Sequence, residues 1–251
     1  MNQSRIGPRS EPGGSAAALV RLRRMLDEGP GEGRLPPERL LAQELALSRG
    51  ALRRALDVLA SEGRIVRVQG KGTFVGPPPA LPSREIGALQ GRTNPPEVME
   101  VRRELEPVLA RLAALRATGA DIDTMRRFAR RTAEAGDADA RELWDGALHR
   151  RIAEAAGNAL LLALFDLVDR VRQDPAWRSL RERARSAARL TAYVEEHERL
   201  IAAIADRDAA AAEAAMRDHL AHVAEGLVLA MTGAARPASR SGESLGLAAT
   251  L

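Results

Sequence analysis

The chain of 251 residues contains no cysteine, six aromatic residues and a single lysine. Without cysteine it can form neither a disulfide framework nor a thiolate metal site, and it can carry no catalytic thiol. It also lacks long hydrophobic runs: no stretch approaches the ~18 to 20 apolar residues that a membrane span requires. Met1 to Gly14 is polar and rich in glycine and proline, without the apolar core of a signal peptide. These absences lead us to expect a cytoplasmic protein that does not engage membranes. The length suits one or two domains, each able to bury a core.

Thirty-seven of the 38 basic residues are arginine, a skew from which no function follows. Their distribution is more informative. Residues 1 to 80 hold 13 basic and 8 acidic side chains, a net +5, whereas the remainder holds 25 and 26, a net −1. A basic module that meets a polyanion, followed by a near-neutral module with another task, accounts for this asymmetry.

Leu19, Val20, Leu22 and Met25 recur at helical spacings before the breaker run Gly29-Pro30-Gly31. Pro36 and Pro37 open a short amphipathic segment, Glu38 to Leu45. Only Ala46, Leu47 and Ser48 separate it from a further helix, Arg49 to about Glu62, with Ser48 as N-cap and Gly63 as stop. The period then changes: Ile65, Val66 and Val68 precede the turn Gly70-Lys71-Gly72 and a second short strand, Thr73 to Val75, which predicts a β-hairpin. Two helices with a three-residue turn and a basic-tipped hairpin make a winged helix-turn-helix, whose second helix enters the major groove of double-stranded DNA. Arg49, Gly50 and Arg53 lie near the exposed N-terminus of that helix, where guanidinium groups reach guanine or phosphates. Arg39 would sit near the backbone, and Gln69 to Gly72, with Lys71, would form a wing for the minor groove.

The segment from Arg34 to Val75, RLPPERLLAQELALSRGALRRALDVLASEGRIVRVQGKGTFV, resembles the DNA-binding domain of GntR-family bacterial transcription regulators. The resemblance implies DNA contacts from Arg39, Arg49 and Arg53 and entry of Gly70 into the minor groove, with Ser48, Gly50, Gln69 and Lys71 completing the interface. The chain departs from the family in two ways. Gly50 and Ala51 stand where small hydroxyl residues are usual, and Arg54 replaces the usual glutamate.

Pro77 to Pro96, with interspersed glycines, predicts a linker over residues 77–96 that holds at most a short ordered stretch around Ile86 to Leu89. Beyond it, six helical segments are expected: 97–117, 121–135, 138–156, 158–173, about 176–206 with a break near Ser186, and 208–231. Gly119, Gly136, Gly157 and Asp174-Pro175 punctuate them. The expected organisation is therefore mainly α: a tail at 1–15, a winged module at 16–76, the linker, an antiparallel helical bundle at 97–232, and a second disordered tail at 233–251.

All four histidines, His149, His197, His219 and His222, lie in the helical region. Asp145 and His149 are four residues apart, so one helix face presents both to a single ion. Imidazoles with a carboxylate suit a divalent transition metal such as Zn²⁺, Ni²⁺ or Mn²⁺, with positions left open for water or a ligand. The segments EVRRELEPVLARLAA, LWDGALHRRIAEAAGNALL and EEHERLIAAIADRDAAAAEAAMRDHL resemble the FCD ligand-binding domain of the FadR branch. The resemblance implies metal ligation by Asp145, His149, His197 and His219 and sets His222 apart. It further implies a small organic acid effector assisted by Arg102, with Asn158 as a second effector-contact candidate beside its N-cap role. Trp144 and Phe165 are expected in the core.

The expectation is a homodimeric, effector-controlled regulator, a repressor reading a palindromic operator, and not an enzyme. The alternatives are a regulator whose effector is the ion itself and a metal-dependent enzyme tethered to DNA. Against the enzyme, Glu195, Glu196 and Asp218 adjoin the candidate ligands in sequence but are expected to point elsewhere on their helices.

Overall fold

A computed structural model describes residues 14–28, 33–68, 72–76, 83–174, 177, 180, 184 and 187–232. Residues 1–13 of the tail expected at 1–15, the tail expected at 233–251, the wing residues Gln69, Gly70 and Lys71, and the break near Ser186 lie outside the described residues.

Helix α1 (Ser15–Glu28) buries Ala18, Leu19, Leu22 and Leu26 along one stripe. Helix α2 (Glu38–Glu44) buries Leu41 and Ala42, and a tight turn through Ala46, at φ 49°, leads into α3 (Arg49–Ser61). The Ala51 N–H donates to Ser48 Oγ at 3.1 Å, so Ser48 is the N-cap that the sequence predicts. Leu52, Ala55, Leu56 and Leu59 face inward from α3, and Gly63 ends the turn after it at φ 67°, a backbone region that favours glycine.

Strands β1 (Ile65–Val68) and β2 (Gly72–Val75) pair antiparallel, with Ile65 opposite Val75 and Val68 opposite Gly72. The chain at Gly33 to Leu35 adds to the far edge of β2: the Leu35 N–H donates to the Thr73 carbonyl, and the Val75 N–H to that of Gly33, both at 2.8 Å. This third extended piece, too short to show a period, was not evident in the sequence.

Helix α4 (Ser83–Gln90) spans the residues around Ile86 to Leu89 where a short ordered stretch is expected within the linker. Its Ile86 is buried against Val98 and Val171, and this tertiary contact outweighs the helix-breaking effect of Gly87 and the flanking Pro82 and Gly91. The long helices then follow: α5 (Pro95–Arg116), α6 (Gly119–Glu134), α7 (Ala138–Ala155), α8 (Ala159–Arg172), α9 (Ala187–Ala205) and α10 (Ala209–Thr232). Two capping boxes, Asn94 with Glu97 and Thr118 with Asp121, start α5 and α6. Gly119 is thus the first residue of α6, where the sequence suggested only punctuation.

Helix α10 packs along α5, α6 along α7, and α9 against both α10 and α6. Helix α7 also carries α1 and α3 on its other side. One hydrophobic core therefore runs from Leu22 and Leu56, through Trp144 and Leu148, to Leu200, Met216 and Leu220. Trp144 stacks on Phe128 with ring centroids 5.8 Å apart and lies under the Arg131 guanidinium; Phe165 is buried in a smaller cluster with Leu109. Among the described residues, no helix is long and apolar enough to cross a membrane.

Candidate metal centre and nucleic-acid interface

Four side chains from three helices converge inside the bundle. Asp145 and His149 project from α7, His197 from α9 and His219 from α10, and one donor atom from each lies within 4.8 Å of all the others. His219 is 0% exposed and Asp145, the most exposed of the four, 5%. His197 Nε2 stands 3.3 Å and His149 Nε2 3.7 Å from Asp145 Oδ1. Asp145 Oδ1 and the Nε2 atoms of His149, His197 and His219 are all buried without a hydrogen-bond partner. Leaving one buried polar atom unsatisfied costs about 1 to 3 kcal/mol, so four aimed at one point call for a group between them. Three imidazole nitrogens and one carboxylate oxygen fit a divalent transition metal, and the residues pass that test.

The far nitrogens of two rings are already engaged. His149 Nδ1–H donates to Glu106 Oε2 at 2.5 Å, and His219 Nδ1–H donates to Glu196 Oε2 at 2.8 Å. An ionised carboxylate can only accept, so these bonds place the proton on Nδ1 and leave the Nε2 lone pair facing the cluster. Burial pushes the His219 pKa down to about 4, against the Glu196 bond that raises it, so the ring is neutral near pH 7. Burial would raise the Asp145 carboxyl, yet protonated rings around it, His149 first, would hold it well below the ordinary carboxylate range. Glu106 is likewise held low, in spite of burial, by Arg102 and His149.

Glu196 corrects the sequence reading, which turned it away from the ligands. A ring presents Nε2 to the cluster and Nδ1 to its opposite side, so a carboxylate can support a ligand without sharing its direction. Glu196 is 3% exposed and bonds both His219 and, at 2.6 Å, His222 Nδ1. His222, with a side chain 57% exposed, is outside the quartet. Glu106 and Tyr193 were also missed. The Tyr193 ring meets those of His197 and His219 edge-on at 5.3 and 4.7 Å. The available signals were the four-residue steps Arg102–Glu106 and Tyr193–His197, each helical neighbours.

Arg102 is buried on α5, with Nε on Glu106 Oε1 at 2.5 Å and Nη2 on Oε2 at 3.4 Å, so Glu106 links it to His149. Asn158 takes a different place from the effector contact suggested for it. It is exposed, and its Oδ1 accepts from the Leu160 and Leu161 N–H groups at 3.1 Å, a full capping role at the start of α8.

On the opposite module, Arg39, Ser48, Arg49, Gly50 and Arg53 are exposed around the start of α3. Arg53 Nε reaches Glu38 Oε2 at 3.0 Å, an exposed pair of the kind worth little in water. Arg54 is turned away: it donates to Ser15 Oγ at 2.6 Å and lies 3.8 Å from Asp137, at the approach to α7.

A winged helix-turn-helix joined to a helical bundle with an internal Asp/His₃ cluster is the architecture of an effector-responsive DNA-binding regulator. The family models agree: residues 16–75 match "Bacterial regulatory proteins, gntR family" and residues 97–222 match "FCD domain". The chain belongs to the GntR family of transcription regulators, in its FCD-containing branch. It is 32% identical over 205 residues to the Escherichia coli "Uxu operon transcriptional regulator", covering 79% of each chain. It is also 32% identical over 204 residues to the Bacillus subtilis "HTH-type transcriptional regulator LutR", covering 77% of this chain and 90% of that one. A solved structure described as E. coli McbR/YncC covers 87% of this chain and 98% of its own, at 19% identity and a TM-score of 0.49. Both curated relatives are described as transcriptional regulators. The chain is thus a transcription regulator with a DNA-binding module and an FCD effector-binding domain.

Proposed function

We propose that this regulator binds a small organic acid at a divalent metal held by Asp145, His149, His197 and His219, and that the acid controls operator binding. The observation that carries the reading is the convergence of four buried, unpartnered donor atoms within 4.8 Å. Bound there, a Zn²⁺, Ni²⁺ or Mn²⁺ ion would supply a positive centre that attracts a carboxylate through its open positions. Glu106 and Glu196 keep the rings in the tautomer that ligates. Arg102 offers a planar guanidinium for bidentate contact with the acid, once Glu106 shares it.

In this reading the DNA-binding residues are Arg39, Ser48, Arg49, Gly50 and Arg53, joined by the wing residues Gln69, Gly70 and Lys71. The protein acts in the cytoplasm as a homodimeric repressor on a palindromic operator, because a two-fold dimer presents two symmetry-related recognition helices. Support for pairing comes from a run of exposed apolar side chains on neighbouring helices, Val101 and Leu115 of α5 with Leu160 and Leu164 of α8.

Elemental analysis of tag-free protein tests the site. We expect about one transition metal per wild-type chain, lost in a His149→Ala/His219→Ala double variant. Absence of metal from the wild type, even after incubation with excess zinc, nickel or manganese, would overturn the reading.

A further inference from the structure

Between the cluster and the DNA-binding module lies a line of buried charges that neither site needs for its own chemistry. Asp169 of α8 accepts from Arg172 Nη2 at 2.9 Å through Oδ1, and from Arg23 Nη1 of α1 at 3.2 Å through Oδ2. Arg23 Nη2 in turn donates to Glu62 Oε1 at 2.5 Å, and Glu62 is the residue that ends the recognition helix α3. Gln173 braces the middle, accepting from Arg23 at 3.1 Å and donating to Asp169 at 2.7 Å. Arg23, Asp169 and Arg172 are 8%, 5% and 7% exposed, so water screens little of this.

The other end reaches the metal ligands. Arg172 also bonds Glu142, which precedes Asp145 by three residues on α7, and so lies on the same helix face. Gly146, beside Asp145, lets the guanidinium approach the α7 backbone: a Cβ there would stand 3.1 Å from Arg172 Nη2. Glu142 and Asp169 hold the Arg172 guanidinium most strongly and Asp145 adds to them, against the cost of its burial.

We propose that Arg172, Asp169, Arg23 and Glu62 form a buried electrostatic linkage through which the charge state of the Asp145 cluster sets the position of the recognition helix. The inference rests on the metal-binding reading above. A divalent cation among the ligands takes up Asp145's negative charge, which leaves Arg172 to lean more heavily on Glu142 and Asp169. Asp169 then has less to offer Arg23, and Arg23 is the cation that ties α1 to the end of α3. A second tie runs beside the first: Asp27 of α1 bridges Arg64, at 2.9 Å, and Arg170 of α8, at 2.5 Å. A simple structural glue would show the same contacts, so the distinction lies in whether a change at one end is felt at the other.

The test uses the full chain, zinc alone as probe, and amide hydrogen exchange read by peptide. On loading chelator-stripped wild type with zinc, exchange should change at α7, α9 and α10, and also by about fivefold or more in α1 and α3. Arg23→Lys keeps the charge but not the planar fork, and Glu62→Gln keeps the shape but not the charge. Both should take up zinc with wild-type affinity and keep the response at α7, α9 and α10, while losing it in α1 and α3. If one variant fails to fold, the other carries the comparison, with circular dichroism melts as the check. Zinc uptake without a change in α1 and α3 of the wild type would overturn the linkage, as would an undiminished response in a folded variant. Failure of the wild type to take up zinc would instead defeat the metal site, and the linkage with it.

Discussion

The cluster owes its ligand geometry to carboxylates that never touch the proposed ion. Glu106 and Glu196 each accept from an Nδ1–H and thereby aim an Nε2 lone pair inward. Loss of such a supporting bond commonly lowers metal affinity about 10 to 100-fold. Glu106→Gln should therefore weaken zinc binding by that factor in a chelator competition titration, and unchanged affinity would remove Glu106 from the site. The convergence of Asp145, His149, His197 and His219 was legible beforehand because Asp145 and His149 share a helix face and the remaining pair follows a family register. Glu106 was not, because Glu104 and Glu106 look alike in ELEPVL and only the packing of α5 decides which is buried. Glu196 escaped for a different reason: its role depends on the second nitrogen of a ring on another helix.

At the scale of elements, the winged module was readable because its signals are local. Ser48 caps α3 within three residues, and Gly63 stops it. The extent of α4 was not, since its stability comes from burying Ile86 against α5 and α8. The contact between α8 and α1 was equally invisible, as Arg23 and Asp169 lie 146 positions apart. It carries a pH signature. Burial would raise the Asp169 carboxyl, but Arg172 and Arg23 outweigh it and hold the pKa below its ordinary value. The folded chain thus keeps Asp169 ionised at pH values where the unfolded chain protonates it. The associated stability is fully present above the unfolded value, near pH 4, and is lost as pH falls through the lower folded one. Asp169→Asn should lower the melting temperature at pH 7 and narrow its deficit relative to wild type as pH falls below about 4. A deficit independent of pH would assign the loss to packing and not to charge.

For the whole molecule, residues 1 to 80 carry a net +5 and the remainder a net −1, a balance that suits a DNA-binding module joined to a near-neutral one. Operator affinity should fall steeply with salt, because each neutralised phosphate releases counterions. Arg49→Ala should reduce discrimination between operator and random DNA, and about 1 to 3 kcal/mol is the cost of one lost bidentate base contact. A footprint unchanged in that variant would take Arg49 out of base recognition.

The core that runs without interruption from Leu22 and Leu56 to Leu200 and Met216, through Trp144 on α7, bears on how such proteins can be recombined. A winged module bounded by its own surface could be exchanged between regulators as a cassette, with the junction placed anywhere in the linker. Here the graft boundary would cut through the hydrophobic core itself. A chimera that keeps α1 to β2 of this chain would need a recipient bundle whose α7 equivalent offers Leu143 and Ala147 beside Leu19 of α1 and Val58 of α3. Shuffling of modules would then be confined to partners that match along one helix.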